Sequence, residues 1–133
     1  MNLDAIEPLQ ALGIQLLTAT DTEVQFRVPA QGNFNDKGTV FAGSQYSGLV
    51  IAGWYLASHW AQSQQLGQKV AIKDCQVSYP AAAMSDLTVT ARFIETPDRR
   101  PSGHWRAQIH VEARDVTNQV TATLIGDYRI LTS

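Results

Sequence analysis

NDKGTVFAGSQYSGLVIAGWYLASHW, residues 35–60, joins a Gly-rich polar loop to a long apolar segment that contains no Asp or Glu. The loop supplies Asn35, Gly38, Thr39, Gly43 and Ser44, residue types that suit turns and helix starts. Beyond it, apolar residues recur at helical spacing at Tyr46, Leu49/Val50, Gly53, Leu56/Ala57 and Trp60, with Ile51 and Tyr55 on other faces, which predicts a helix over 42–64. A helix that is apolar nearly all round is buried. Gly48 and Gly53 each cost about 1 kcal/mol against Ala inside a helix, so they predict a neighbour that comes too close for a side chain.

The elements around this helix follow from the periodicity of the flanking chain. Leu3 to Leu12 reads as a short helix with Ile6, Leu9 and Leu12 on one side and Gly13 as its stop. Val24, Phe26 and Val28 alternate with Glu23, Gln25 and Arg27, the period of a strand with one buried face, and Pro29 ends it. Four strand-like segments follow the helix, at Val70 to Tyr79, Leu87 to Ile94, His104 to Arg114 and Val120 to Ile130. Turn residues separate them at Pro80 to Asp86, Thr96 to Gly103 and Asp115 to Gln119. This order predicts an α+β domain with the hotdog fold, an antiparallel five-stranded sheet wrapped around one long central helix. A cystatin-like or cone-shaped roll has the same order of elements but no polar Gly-rich loop at the mouth of the helix.

Composition narrows the partners. The 133 residues fit one domain, and 44% hydrophobic with 17% charged residues is ordinary for a globular protein. A net charge of -2 and a pI near 5.8 leave no basic stripe for nucleic acid or an anionic membrane. The single cysteine, Cys75, has no internal disulfide partner, and MNLDAIEPLQ at the start has neither a basic region nor an apolar run, which predicts a cytoplasmic protein. The longest apolar stretch, Leu49 to Ala57, falls far short of the roughly 20 residues that span a bilayer. The three histidines, His59, His104 and His110, are not spaced as metal ligands, so no metal site is expected, and Cys75 reads as an inert strand thiol.

The run Asn35-x-x-Gly38-Thr39-x-Phe41-x-Gly43-Ser44-x-Tyr46, followed by Ala52-Gly53-Trp54, resembles the bacterial thioesterase-like hotdog domain that also forms the C-terminal half of certain acetyltransferases. That resemblance implies acyl-CoA or acyl-carrier protein as substrate, with CoA or phosphopantetheine entering as part of the substrate and no separate cofactor. It also implies a homodimer, with further pairing to a tetramer open, and binding between two protomers. The chain departs from a large branch of hotdog thioesterases in which the loop carries a His and the helix an Asp or Glu about two turns in. Phe41 stands at the His position, and Leu49 and Val50 stand where the carboxylate would be.

Loop amides that converge on a helix N-terminus suit a developing oxyanion, and the candidate catalytic residues are Asn35, Gly43 and Ser44. Thr39, Phe41 and Tyr46 are candidate substrate contacts, and Arg99 and Arg100 are candidates for CoA phosphates or an acidic carrier surface. Three functions fit. Thioester hydrolysis needs a base, for which the loop supplies only Asp36. Decarboxylation of a malonyl thioester needs an oxyanion site without a neighbouring carboxylate, and no Asp or Glu occurs between Lys37 and Lys73. A non-catalytic acyl-binding or dimerisation module would keep the pocket alone.

Overall fold

The computed structural model describes residues 1–67 and 69–132. An antiparallel sheet packs around one long helix, α2 (Ala42–Ser63). Its strands are β1 (Gln15–Ala19), β2 (Glu23–Val28), β3 (Lys69–Ser78), β4 (Leu87–Phe93), β5 (Asp98–Arg99), β6 (Trp105–Arg114) and β7 (Val120–Leu131). They lie in the order β1-β2-β4-β6-β7-β3, with β5 paired to β6. A short helix, α1 (Glu7–Leu12), precedes the sheet.

The sheet has seven strands where the pattern predicts five. The first addition, β1, has Leu16 beside Leu17, and Leu17 is exposed, so no clean alternation marks it. It exists because it forms a hairpin with β2, closed by Thr20, whose Oγ1 accepts from the Glu23 amide at 3.0 Å. The second, β5, is two residues inside the expected 96–103 turn, paired Asp98 to Arg106 and Arg99 to Trp105. The N-terminal helix is also shorter than its apolar spacing suggests. It breaks into a 3-10 turn (Leu3–Ala5) and α1, because Pro8 lacks an amide hydrogen and fits only the first turn of a helix. Gly13 ends α1 in the left-handed region at φ 70°, as its position predicts.

Gly48 and Gly53 of α2 sit where the sheet crosses closely. A Cβ on Gly48 would stand 2.5 Å from Val28 Cγ2, and one on Gly53 would enter the ring of Tyr128. Tyr128 is fully buried and its hydroxyl donates to the Val50 carbonyl of α2 at 2.9 Å, so helix and β7 are joined by a hydrogen bond inside the core. Burial pushes this phenol well above its ordinary range, and it stays a neutral donor. Phe26, Leu49, Leu56, Leu87, Ile109 and Leu124 complete the centre, each fully hidden and contributing about 1.5–3 kcal/mol of transfer free energy.

One polar link fixes the segment that leads into the loop. Asp86 accepts from the Ala30 amide at 2.8 Å and from the Arg27 guanidinium at 2.5 Å, which ties the turn before β4 to the end of β2. The Ala30 amide, then Arg27, hold its carboxyl below the usual carboxylate range. A lowered carboxylate pKa means stability that is present at neutral pH and is lost as pH falls through the folded-state value. Because both side chains are near 40% exposed, screening reduces the link to about 1 kcal/mol. Asp86→Asn should therefore lower the urea midpoint at pH 7, and its gap from the native chain should narrow as pH falls below about 4, where the carboxyl of the unfolded chain takes up its proton, and close once the folded carboxyl is protonated too. A gap independent of pH would show that the charge on Asp86 contributes nothing.

Candidate functional site

The loop between β2 and α2 is shaped by Asn35. Its Oδ1 accepts from the amides of Lys37 (2.9 Å) and Thr39 (3.1 Å), and its Nδ2 donates to Thr39 Oγ1 at 2.8 Å. The Asn35 amide donates to the Thr39 carbonyl, and Gly38 takes φ 75° to close the turn. Asn35 and Thr39 thus spend most of their hydrogen-bonding capacity on each other and on the loop backbone. Asn33, a buried neighbour, donates to the carbonyls of Leu12 and Pro29 at 2.8 Å each and anchors the loop to α1.

The start of α2 is open. Phe41 is its N-cap, contributes no side-chain cap, and no acid lies in the first turn. The Ser44 and Gln45 amides turn back to the Phe41 carbonyl, while the amides of Ala42 and Gly43 meet no acceptor among the described residues. The ring of Phe41 lies over Gly43, where a Cβ would stand 2.5 Å from Phe41 Cε2, so Gly43 is what lets the ring approach the helix start. Free amides, the positive end of the helix dipole and the absence of a capping acid are features that suit an anion.

Around it stand uncharged groups. Ser44 is buried in the first turn. Tyr46 is 39% exposed, with its hydroxyl 3.5 Å from Cys75 Sγ on β3. That hydrogen bond, then partial burial, raises its pKa above the ordinary phenol value, so at neutral pH it acts only as a protonated group. Tyr79 donates to the Ala42 carbonyl at 3.0 Å and is likewise raised by burial. Asp36, the loop's one carboxylate, has a side chain 86% exposed and 3.4 Å from Lys37 Nζ.

Arg99 and Arg100 are not brought to this loop within one protomer. Arg99 pairs with Trp105, whose ring packs 5.6 Å from Trp60, sixteen residues beyond Ser44 on α2 or about 24 Å along the axis. The histidines are dispersed as well. His59 Nδ1 lies 2.9 Å from Asp21, and His104 Nδ1 accepts from the Thr132 amide at 3.0 Å. Among the described residues, no three His, Cys, Asp or Glu side chains are gathered as a metal would need.

A family model described as "Putative thioesterase (yiiD_Cterm)" matches residues 4–132. The chain belongs to this thioesterase-like family. A "putative thioesterase" from Shewanella oneidensis superposes with TM-score 0.87 at 23% identity, over 96% of this chain and 90% of its own. The PaaI protein of the phenylacetic acid degradation operon of E. coli gives 0.78 at 16% identity, over 99% and 92%. A thioesterase from Haemophilus influenzae gives 0.77 at 13%, over 99% and 92%. Among curated proteins none matches. At these identities the solved structures show the hotdog fold alone, and membership of the thioesterase-like family rests on the family model.

In this thioesterase-like domain one residue with a hold on the loop escapes the sequence pattern. Gln45 is buried; its Oε1 accepts from Thr121 at 3.0 Å and its Nε2 donates to the Val40 carbonyl at 3.3 Å. It therefore ties the last loop residues to β7 through the core. The available signal was a polar residue one turn before Leu49 on the buried stripe. Thr121 gave none, because strand alternation assigns it to the polar face. A register irregularity between Ala113 and Arg114 on the paired strand accompanies its full burial.

Proposed function

We propose that this domain processes an acyl thioester held on CoA or on an acyl-carrier protein, and that its reaction is decarboxylation of a malonyl thioester. The observation that carries this reading is the uncharged surround of the open α2 start: amides of Ala42 and Gly43 without an acceptor among the described residues, hydroxyls at Tyr46 and Tyr79, and no carboxylate on the helix. In the proposed step the bond between the malonyl carboxylate and its α-carbon breaks and CO2 leaves. The electron pair moves onto the thioester carbonyl as an enolate, which the helix-start amides stabilise, and a proton from solvent then completes the acetyl thioester. An Asp or Glu on the helix would repel the substrate carboxylate, so its replacement by Leu49 and Val50 favours the reaction.

Hydrolysis is the second reading, and the family's own description favours it. It requires a base, and the exposed Asp36 or a residue of a second copy would have to supply it. A homodimer belongs to the same proposal. Strand β3 ends the sheet with an unpaired edge, and Phe34, Phe41 and Tyr79 are exposed near the loop. Pairing β3 edges about a two-fold axis runs the copies antiparallel, which sets the Arg99–Arg100 end of one beside the Asn35–Ser44 end of the other. Among the described residues no helix is long and apolar enough to cross a membrane, and a cytoplasmic carrier is the partner we favour.

Incubation with malonyl-CoA and malonyl-carrier protein tests the reaction, following free thiol and the mass of the thioester together. An intact thioester lighter by CO2 is the expected result. Free thiol with released malonate would replace decarboxylation by hydrolysis, and an unchanged substrate with both carriers would leave a binding module.

A further inference from the structure

Three carbonyls in a row are held at the mouth of α2. The Val40 carbonyl accepts from Gln45 Nε2 at 3.3 Å, and the Ala42 carbonyl accepts from the Tyr79 hydroxyl at 3.0 Å. Between them, the Phe41 carbonyl accepts from the amides of Ser44 and Gln45 at 3.1 Å each. A trans peptide unit is planar and its N–H points opposite to its C=O, so a bond that holds one carbonyl also aims the amide of the next residue. The first turn of the helix thus aims the Ala42 amide, and Tyr79 aims that of Gly43. The unit before them, Val40–Phe41, is held at both ends, since its N–H donates to the Asn33 carbonyl at 2.8 Å. Only the amides of Ala42 and Gly43 are left without an acceptor among the described residues.

Packing alone accounts for neither side chain. Gln45 is 4% exposed and is supported by the fully buried Thr121, whose Oγ1 donates to Gln45 Oε1 at 3.0 Å. Apolar side chains of the same shape would fill this space without needing partners, at little cost or even a gain in stability. The Val40 carbonyl can only accept, so it fixes which end of the Gln45 amide faces it, and the Thr121 hydroxyl meets the other end. Tyr79 is 43% exposed and has water within reach, yet its proton goes to the Ala42 carbonyl. Both bonds are made within one protomer, so they do not depend on how a second copy packs.

We propose that Gln45 and Tyr79 are positioning residues of the site: by holding the Val40 and Ala42 carbonyls they fix the direction of the two free amides toward a thioester oxyanion. Neither side chain has to touch the substrate. The role rests on the reading of these amides as oxyanion donors, and it is the same for an enolate and for a tetrahedral intermediate.

Tyr79→Phe removes one hydroxyl and keeps the ring. Gln45→Met removes the amide at nearly the same length, and Thr121 keeps the Ala113 carbonyl, 3.4 Å away, as an acceptor. NMR of the protein without substrate reads the two bonds directly. Tyr79→Phe should move the signals of the Ala42 carbonyl carbon and the Gly43 amide, and Gln45→Met those of the Val40 carbonyl carbon and the Phe41 amide. Each should lower kcat of thioester turnover about tenfold, part of the loss of about 10²–10³ that follows removal of a whole oxyanion donor. KM should change less than about twofold, because the amides act in the transition state. Ile109→Val, a change in the fully buried core away from the loop, should lower the urea midpoint and leave kcat and these signals as they are. Unmoved signals in either variant overturn the role of that residue, and moved signals with an unchanged kcat do the same. A loss of kcat in Ile109→Val as large as in Gln45→Met would trace the effect to stability and overturn the role of Gln45. A native chain without turnover of any thioester overturns the reading of the site as catalytic, while the NMR signals still decide whether the two side chains aim the amides.

Discussion

Gly43→Pro lowers turnover of the thioester substrate by about 10²–10³, while Gly43→Ala lowers it less than about tenfold, as expected if the Gly43 amide is an oxyanion donor. The two variants are matched. Each adds a Cβ that meets the Phe41 ring 2.5 Å away at Cε2, and that ring is 55% exposed and free to swing outward. Only proline deletes the N–H, and proline is tolerated in the first turn of a helix, where the amide has no intrahelical acceptor. Steady-state kinetics of both, with urea unfolding as a check on the fold, decide the matter. Equal losses would move the role from the amide to the placement of Phe41. No loss in either would remove the helix start from the chemistry.

The largest effect on stability is expected at Gly53. An Ala there places its methyl against the Tyr128 ring, 2.5 Å from Cζ and 2.9 Å from Cε1. Tyr128 has nowhere to retreat. It is fully buried, its hydroxyl is bonded to the Val50 carbonyl, and a side chain on Gly126 would lie only 3.1 Å from its other edge. Overpacking of this kind costs about 3 kcal/mol, offset by about 1 kcal/mol of improved helix propensity. Gly53→Ala should thus lose about 2 kcal/mol and about 8 °C in Tm. Adding Tyr128→Phe should recover part of the loss, because the hydroxyl is the atom nearest the new methyl. A more stable Gly53→Ala variant would mean that the helix and β7 can separate at little cost.

What could be read along the chain was whatever local spacing controls. The helical stripe from Tyr46 to Trp60 gave α2 to within a residue, because its one-sided burial repeats at the helix period. The alternation in β2, β4, β6 and β7 gave those strands for the matching reason at period two. Gly48 and Gly53 announced close approach, since inside a helix Gly has a cost that only a close neighbour offsets. Even the absence of a carboxylate from the helix, which limits the chemistry most, is a property of the sequence alone.

Tertiary structure decided everything that depends on two distant segments meeting. Strand β1 has no usable alternation and forms because β2 offers it a hairpin partner, and β5 exists only as two residues laid on β6. Tyr128 was visible as a core residue, but not as the ring that requires Gly53, and Gln45 was not visible as the link that joins Val40 to Thr121, a residue 76 positions beyond Gln45 itself. Asn35 stood out as a polar loop residue, and the fold shows its side chain turned to the loop backbone. Arg99 and Arg100 were candidates for CoA phosphates or an acidic carrier surface by charge alone, and only the fold shows that within one protomer they lie at the far end of α2 from the loop. The physical reason is common to these cases: spacing reports which face of an element is buried, while pairing partners, orphaned polar atoms and the ends of a helix are set by contacts between residues far apart in the chain.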